Sequence, residues 1–322
     1  MRTYKQLTYE QRCQIGVLNG TDMTQQEIAD AVGTSQATVS RELRRNRSQR
    51  GYRHKRAQKL ADERRHSAAK AVKMTESMIV IIKEKLCEKW SPEQVSGWLL
   101  DERGEHLSHE RIYQYIWDDK AAGGELYTHL RRQGKKYQRR CNGKRSRGQI
   151  RNRVGIEERP DIVDAKSRIG DWEIDTVVGK GHSGALVTIV ERSTQFTLVA
   201  NVPNKSAEAV TEATIELLRP YGGALHTITA DNGKEFAYHD RLTKELGAAV
   251  YFARPYHSWE RGLNENTNGL LRQYWPKSTD FKQVTDEDVA AVVIQLNQRP
   301  RKTLGFKTPA DLMHNYLAAQ AA

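Results

Sequence analysis

Three carboxylates in the second half of the chain stand where a carboxylate is either costly or useful. Asp175 lies inside "EIDTVV", a run that reads as a strand, and an unpaired buried carboxylate there is expensive. Asp231 ends the apolar run "LHTITA" and is followed by Asn232 and Gly233, residues that turn a chain. Glu265 stands in "LNENTNG", in the first turn of a helix-forming stretch. Each has a plain structural reading. Asp231 alone is a good turn residue, and Glu265 alone is a solvated helix residue. Glu173 shares a face with Asp175 by the period of two and competes for its role, while Glu235 or Glu260 could replace Glu265. Gathered from separate elements, three such acids form a hard oxygen site suited to Mg²⁺ or Mn²⁺. Two such ions about 3.5–4 Å apart activate an attacking oxygen and stabilise a leaving one in an in-line displacement at phosphorus.

The elements that must position these acids follow from about residue 165. "DWEIDTVVGKG", "GALVTIVER" and "QFTLVANV" are β-rich runs separated by Gly, Ser and Thr turns. "SAEAVTEATIELLRPYG" predicts an amphipathic helix, "LHTITAD" a strand, "HDRLTKELG" a helix and "AVYFA" a strand. "LNENTNGLLRQYWPK" and "DEDVAAVVIQLNQ" predict two more helices. That order predicts a ribonuclease H-like α/β domain, a mixed five-stranded sheet with helices on both faces. Its first and fourth strands are neighbours, so Asp175 and Asp231 are expected to face each other, with the helix of Glu265 crossing the same sheet end.

Around the acids, Asn232 follows Asp231 while Asn264 and Asn268 flank Glu265, with Asn268 on its helix face. Arg272, two turns along, is placed to hold a phosphate. His257 either orients a water or the scissile phosphate, or packs on Trp259. Trp172, Tyr274 and Trp275 read as core or stacking residues, and Arg299, Pro300, Arg301 and Lys302 as a basic turn suited to backbone contact.

Composition points to a polyanionic partner. The 322 residues carry 52 Lys and Arg against 40 Asp and Glu, a net charge of +12, with a mean hydropathy of −0.76. The positive charge is concentrated in residues 41–73 and 131–153, and the second block holds no acid at all. Such blocks repel themselves unless a phosphate backbone neutralises them. No apolar run approaches the length of a membrane span, and the first residues hold no secretory core. Cys13, Cys87 and Cys141 read as free thiols in a reducing, cytoplasmic setting.

The first 45 residues predict three short helices. Thr8 with Gln11 and Thr24 with Glu27 form capping boxes, Gly33 stops the second helix, and Ser35 caps the third. Two helices joined by a glycine turn resemble a helix-turn-helix, with the third helix entering the major groove. Its free face carries Gln36, Ala37, Ser40, Arg41, Arg44 and Arg45 as candidate DNA contacts. Beyond it, Arg50, Arg53, Lys55 and Arg56 read as phosphate ligands. A second helical module at 76–119, opened by Ser91-Pro92 and Ser108, offers Arg111 and Gln114, either for DNA contact or as part of a dimerisation unit. The expected domains are 1–50, helix-turn-helix; 51–75, a basic helical linker; 76–119, the second module; 120–160, a basic linker; and 161–322, the catalytic domain.

"GDWEIDTVVGKG", "TADNGKEF", "YHSWERGLNENTNGLLRQYWPKSTDF" and "LNQRPRKTLGFKTPADL" together resemble the insertion-sequence transposases of the DDE class, and within them the IS-thirty family. The resemblance runs over essentially the whole chain. It implies that Asp175, Asp231 and Glu265 are the catalytic, metal-binding triad, with 33 residues between the last two as in retroviral integrases. It also implies two Mg²⁺ or Mn²⁺ ions per site, and double-stranded DNA as partner, both terminal inverted repeats and target. The expected reaction is nicking to free a 3′-OH and attack of that hydroxyl on DNA, within a homodimer or larger assembly. Two other readings are a DNA-binding regulator that kept the fold without the activity, and a ribonuclease H-like nuclease without strand transfer. The intact acids argue against the first, and the helix-turn-helix against the second.

Overall fold

Side-chain caps fix the helix starts of the first unit. Thr8 and Thr24 make reciprocal capping boxes with Gln11 and Glu27, opening α1 (Tyr9–Leu18) and α2 (Gln25–Val32). Gly33, at φ 70°, ends α2 in the left-handed region, and Ser35 caps α3 (Gln36–Asn46). Ile15, Ile28, Ala29, Val32 and Val39 form the small core between them. These coordinates are a computed structural model, describing residues 6–49, 51–67, 74–132, 150–255 and 257–321. The chain divides into two units, 1–72 and 73–322.

Residues 51–67, expected as a linker, belong to the first unit. A short hairpin of β1 (Arg47–Ser48) and β2 (Gly51–Tyr52) leads into α4 (His54–Ser67). Arg12 is the reason α4 packs back. Buried in α1, it pairs with Glu42 of α3 at 3.0 Å and donates to Gln58 of α4 at 3.0 Å, while the Tyr52 hydroxyl donates to Glu42 at 3.0 Å. A buried ion pair needs its remaining donors and acceptors met, and the hairpin and α4 meet them.

The second unit begins with α5 (Glu76–Cys87), α6 (Pro92–Arg103) and α7 (His109–Ala121), packed around Ile82, Leu86, Val95, Leu99, Ile112 and Ile116. This module, expected to be separate, is docked on the chain after the sheet. Gln94 donates to Pro300 O at 2.9 Å, and Lys302 pairs with Glu93 at 2.6 Å. Gly97 lies directly under the Phe306 ring, where a Cβ would overlap it.

The sheet follows as β3 (Val154–Gly155), then the one-turn α8 (Ile162–Ala165), β4 (Asp171–Val178), β5 (Ala185–Glu191) and β6 (Thr197–Val202). After α9 (Ala207–Leu218) come β7 (Thr227–Ala230), α10 (His239–Leu246) and β8 (Ala249–Phe252), then α11 (Gly262–Tyr274), α12 (Asp286–Asn297) and α13 (Pro309–Ala321). The strand order is β3-β8-β7-β4-β5-β6, antiparallel from β4 to β6 and parallel on the other side. The sixth strand, β3, was not foreseen, being only two residues long at the edge. Trp172, Ile174, Val187 and Ile189 pack against α9, α10 and Met313 of α13. Val177, Leu186 and Val199 pack against α11 and α12. Helices thus cover both faces. Among the described residues no helix is long and apolar enough to cross a membrane; Cys13 and Cys87 are free thiols, and Cys141 lies outside the described residues.

Substituting Gly97→Ala forces the Phe306 ring to move. Overpacking of this kind costs about 1–3 kcal/mol. Thermal melts should show the loss, and limited proteolysis should show faster cutting between α7 and the sheet.

Candidate active site

Parallel pairing of β4 with β7 sets Glu173 opposite Thr229. Asp175 and Asp231 each lie two residues further on, so both come to the same end of adjacent strands. Each carboxylate is oriented by a nearby amide: Thr176 N donates to Asp175 Oδ1 at 2.8 Å, and Gly233 N to Asp231 Oδ1 at 2.7 Å. The other oxygens face a guanidinium. Arg261 Nη1 is 3.3 Å from Asp175 Oδ2, its Nη2 is 3.6 Å from Asp231 Oδ2, and Nη1 also donates to Ile174 O at 3.2 Å. Nothing in the sequence pattern marked Arg261 for this; its only signal was its place four residues before Glu265.

Helix α11 lies along β4, and two contacts fix its register. Asn264 N donates to Glu173 Oε2 at 3.1 Å, and Asn268 Nδ2 to Asp175 Oδ2 at 3.0 Å. Two residues of strand span about 6.6 Å and four of helix about 6 Å, so the two contacts match. Asn268 is itself held by Thr188 Oγ1 at 2.9 Å, and Thr188 is the cross-strand partner of Asp175. Burial pushes the Asp175 carboxyl above its ordinary range; Arg261 opposes this and Asp231 adds to it.

Glu265 is exposed on the first turn of α11. It lines a cavity of about 780 Å³ together with Asp175, Arg261, Asn268 and Arg272. Among the described residues, no group of three or more His, Cys, Asp or Glu is placed so that it could hold a metal ion. The donor set nevertheless fits a divalent cation in part. Two carboxylates already converge on one cationic group, with hard oxygens and no sulfur or imidazole among them. Glu265 shares the cavity wall with Asp175.

The competing acids are engaged elsewhere. Glu173 is buried against Arg192 at 2.6 Å, and burial raises its carboxyl while Arg192 opposes. Glu235 is buried against Lys205 at 2.5 Å and accepts from Thr176 Oγ1 at 3.3 Å. Glu260 accepts from Arg254 N at 2.7 Å.

His257 packs on Trp259, ring centroids 4.4 Å apart, and its Nδ1 donates to Pro255 O at 2.9 Å. Asn232 donates to Ala253 O at 2.5 Å and accepts from Arg153, tying the turn after β7 to the end of β8. The Asn264 side chain is wholly buried, and among the described residues neither of its polar atoms has a hydrogen-bond partner. Arg272 lines the cavity, but its guanidinium donates to Val178 O at 2.8 Å and Pro276 O at 3.3 Å and lies over the Phe281 ring. Trp172 and Trp275 are core. Arg299 and Arg301, expected in a basic turn suited to backbone contact, are buried.

In the first unit, Gln36, Ala37, Arg41, Arg44 and Arg45 are exposed on α3 and Ser40 is half-buried. Arg53, Lys55 and Arg56 are exposed at the start of α4, and Arg50 lies outside the described residues. Arg111 and Gln114 are exposed on α7, bonded to each other at 3.4 Å, with Asp118 3.9 Å from Arg111. Most of the 131–153 basic block also lies outside the described residues.

A helical reader of the helix-turn-helix type and a mixed sheet with paired aspartates at one end define a DNA-acting integrase class. Known families agree: residues 3–46 match a helix-turn-helix domain and 165–258 an integrase core domain, the latter match ending short of Glu265. The chain is 44% identical over 309 residues to the transposase for insertion sequence element IS4351 of Bacteroides fragilis, covering 95% of each. It is 36% identical to the transposase InsI for IS30A of Escherichia coli K12, covering 98% of this chain and 85% of the other. It is 34% identical to the transposase for IS1086 of Cupriavidus metallidurans, covering 98% and 96%. The chain belongs to the insertion-sequence transposases, in the IS-thirty family.

Removing Glu173 leaves Arg192 buried without its closest partner and frees the first turn of α11. Breaking a buried pair in this way costs about 3–5 kcal/mol. Glu173→Ala should show a loss of that size in denaturant melts, and Glu173→Gln, which still accepts from Asn264 N, a smaller one.

Proposed function

We propose that this protein is an active DNA transposase that binds the inverted-repeat ends of its element and cleaves and joins DNA strands at Asp175, Asp231 and Glu265. The observation that carries this reading is the convergence of Asp175 and Asp231 on a single cationic group, at the sheet end crossed by the helix of Glu265. The names of its relatives support the same activity.

Asp175, Asp231 and Glu265 would hold Mg²⁺ or Mn²⁺, probed most simply as two ions per site. Such cations supply charge stabilisation for the attacking and leaving oxygens at phosphorus. The chain's own residues do the rest. Asn268, oriented by Thr188, fixes the rotamer of Asp175. Arg261 neutralises the aspartate pair between catalytic events. Lys277 and Arg272 line the cavity and draw in the phosphate backbone. In the first unit, Gln36, Arg41 and Arg44 reach base edges, and Arg53, Lys55 and Arg56 fix the register on phosphates. Holding two ends together requires at least two copies of the chain.

Asp175→Asn, Asp231→Asn and Glu265→Gln should each abolish Mg²⁺-dependent cleavage of end DNA while leaving end binding within about twofold. Full activity in any one variant removes that residue from the triad. Cleavage without joined products in the wild type would favour the nuclease reading.

Arg261 competes with cations for the same two carboxylates. Arg261→Gln should therefore bind Mn²⁺ about tenfold more tightly, about 1.4 kcal/mol, as read by electron paramagnetic resonance. Unchanged or weaker binding in a folded variant would show that the guanidinium does not occupy that position in solution.

On α3, Arg44→Ala should cost about 1–3 kcal/mol of discrimination between end and scrambled DNA. Arg53→Ala should weaken both alike and flatten the salt dependence by about one unit of slope. The reverse pattern in a salt titration would sink the docking of this helix.

A further inference from the structure

Arg299 and Arg301 sit in "NQRPRKT", just past α12, yet Arg299 is 1% exposed and Arg301 8%. A guanidinium taken out of water is costly unless an anion or a full set of acceptors answers it. Among the described residues these two meet only neutral groups. Arg299 donates to Gln273 Oε1 at 3.1 Å and to the Tyr274 hydroxyl, and lies over the Tyr274 ring. Arg301 donates to Leu296 O at 2.9 Å. The Nε of each is buried without a partner.

Both line a cavity of about 740 Å³ between the helical module and the sheet body. Lys89, Arg131, Arg132 and Lys302 line it too, against one carboxylate, Glu93, which Lys302 already holds at 2.6 Å. Glu88, nearby, is taken by Lys85 at 3.1 Å. Arg131 donates to Asn266 Oδ1 at 2.9 Å and to its main-chain oxygen at 3.2 Å. Burial, then the charges of Arg299 and Arg131, pull the Arg301 guanidinium down to about 10, which leaves it charged at neutral pH. Among the described residues, six cations against one satisfied carboxylate make a pocket suited to an anion. Arg131 and Asn266 also line the cavity that holds Asp175 and Glu265, so the two cavities share a wall.

We infer that this cavity binds a backbone phosphate of the DNA strand running on from the catalytic cavity, with Arg131 and Arg301 as its ligands and Arg299 as a buried charge behind them. The identity of that strand rests on the function proposed above. Guanidinium forks match phosphate oxygens in pairs, and Tyr113 and Trp117 in the same wall offer faces for the adjoining sugar or base.

The test uses the full chain and a set of element-end duplexes, each with one neutral methylphosphonate near the cleavage position. Binding is read by fluorescence anisotropy over a range of salt. One or two positions should weaken wild-type binding about tenfold, and Arg301→Gln and Arg131→Ala should each lose that sensitivity, with a salt slope flatter by about one unit. Arg131 is exposed, so its variant keeps the test open even if a thermal melt shows Arg301→Gln unfolded. Full sensitivity at every position in folded variants overturns the inference. If pyrophosphate stabilises the wild type but not Arg131→Ala, and no methylphosphonate distinguishes them, the site takes a small anion and the DNA assignment falls. A wild type that shows the position-dependent loss yet never cleaves would fail the transposase reading and leave the phosphate pocket standing.

Discussion

The parallel pairing of β4 with β7 is the constraint from which the candidate site follows. Side chains alternate along a strand, so a slip of one residue would send Asp175 to the opposite face. Glu173 guards the register from the other side. Its buried carboxylate holds Arg192 from the end of β5 and the Asn264 amide in the first turn of α11 at once, so strand, hairpin and helix are fixed by one group. A slipped β4 would leave that carboxylate without its partners, at a cost of several kcal/mol. The structural acid and the acid assigned to chemistry thus stand two residues apart on one face, with unlike tasks.

Local signals were readable from the sequence. Thr8, Thr24, Ser35 and Ser91 announce their helices because a cap needs only a hydroxyl and an amide three residues on. The strands carrying Asp175 and Asp231 announce themselves by β-branched residues bounded by turns. What failed were readings that depend on distant partners. Arg299 and Arg301 look like surface charge in sequence, since arginine is seldom buried; only the folded chain brings Gln273 and Tyr274 to Arg299 and the Leu296 carbonyl to Arg301. The two-residue β3 is too short to have a period. Helix α4 read as a linker because its charge masks the contacts that Gln58 and its neighbours make with α1.

Arg261 belongs to the same class of hidden residue, and it changes the electrostatics of the site. Two carboxylates at adjacent strand ends repel each other; a guanidinium shared between them at 3.3 and 3.6 Å offsets that repulsion in the folded chain.

The docking of the helical module has a consequence in time. Glu93 and Gln94 find their partners at Lys302 and Pro300, 209 and 206 residues further along, whereas the contacts of the first unit close within its own 72 residues. On a ribosome adding about 5–20 residues per second, the interval between the two is on the order of 10–50 s. Through that interval the nascent chain carries a finished helix-turn-helix unit and an unfinished catalytic one, while still tethered to its own message.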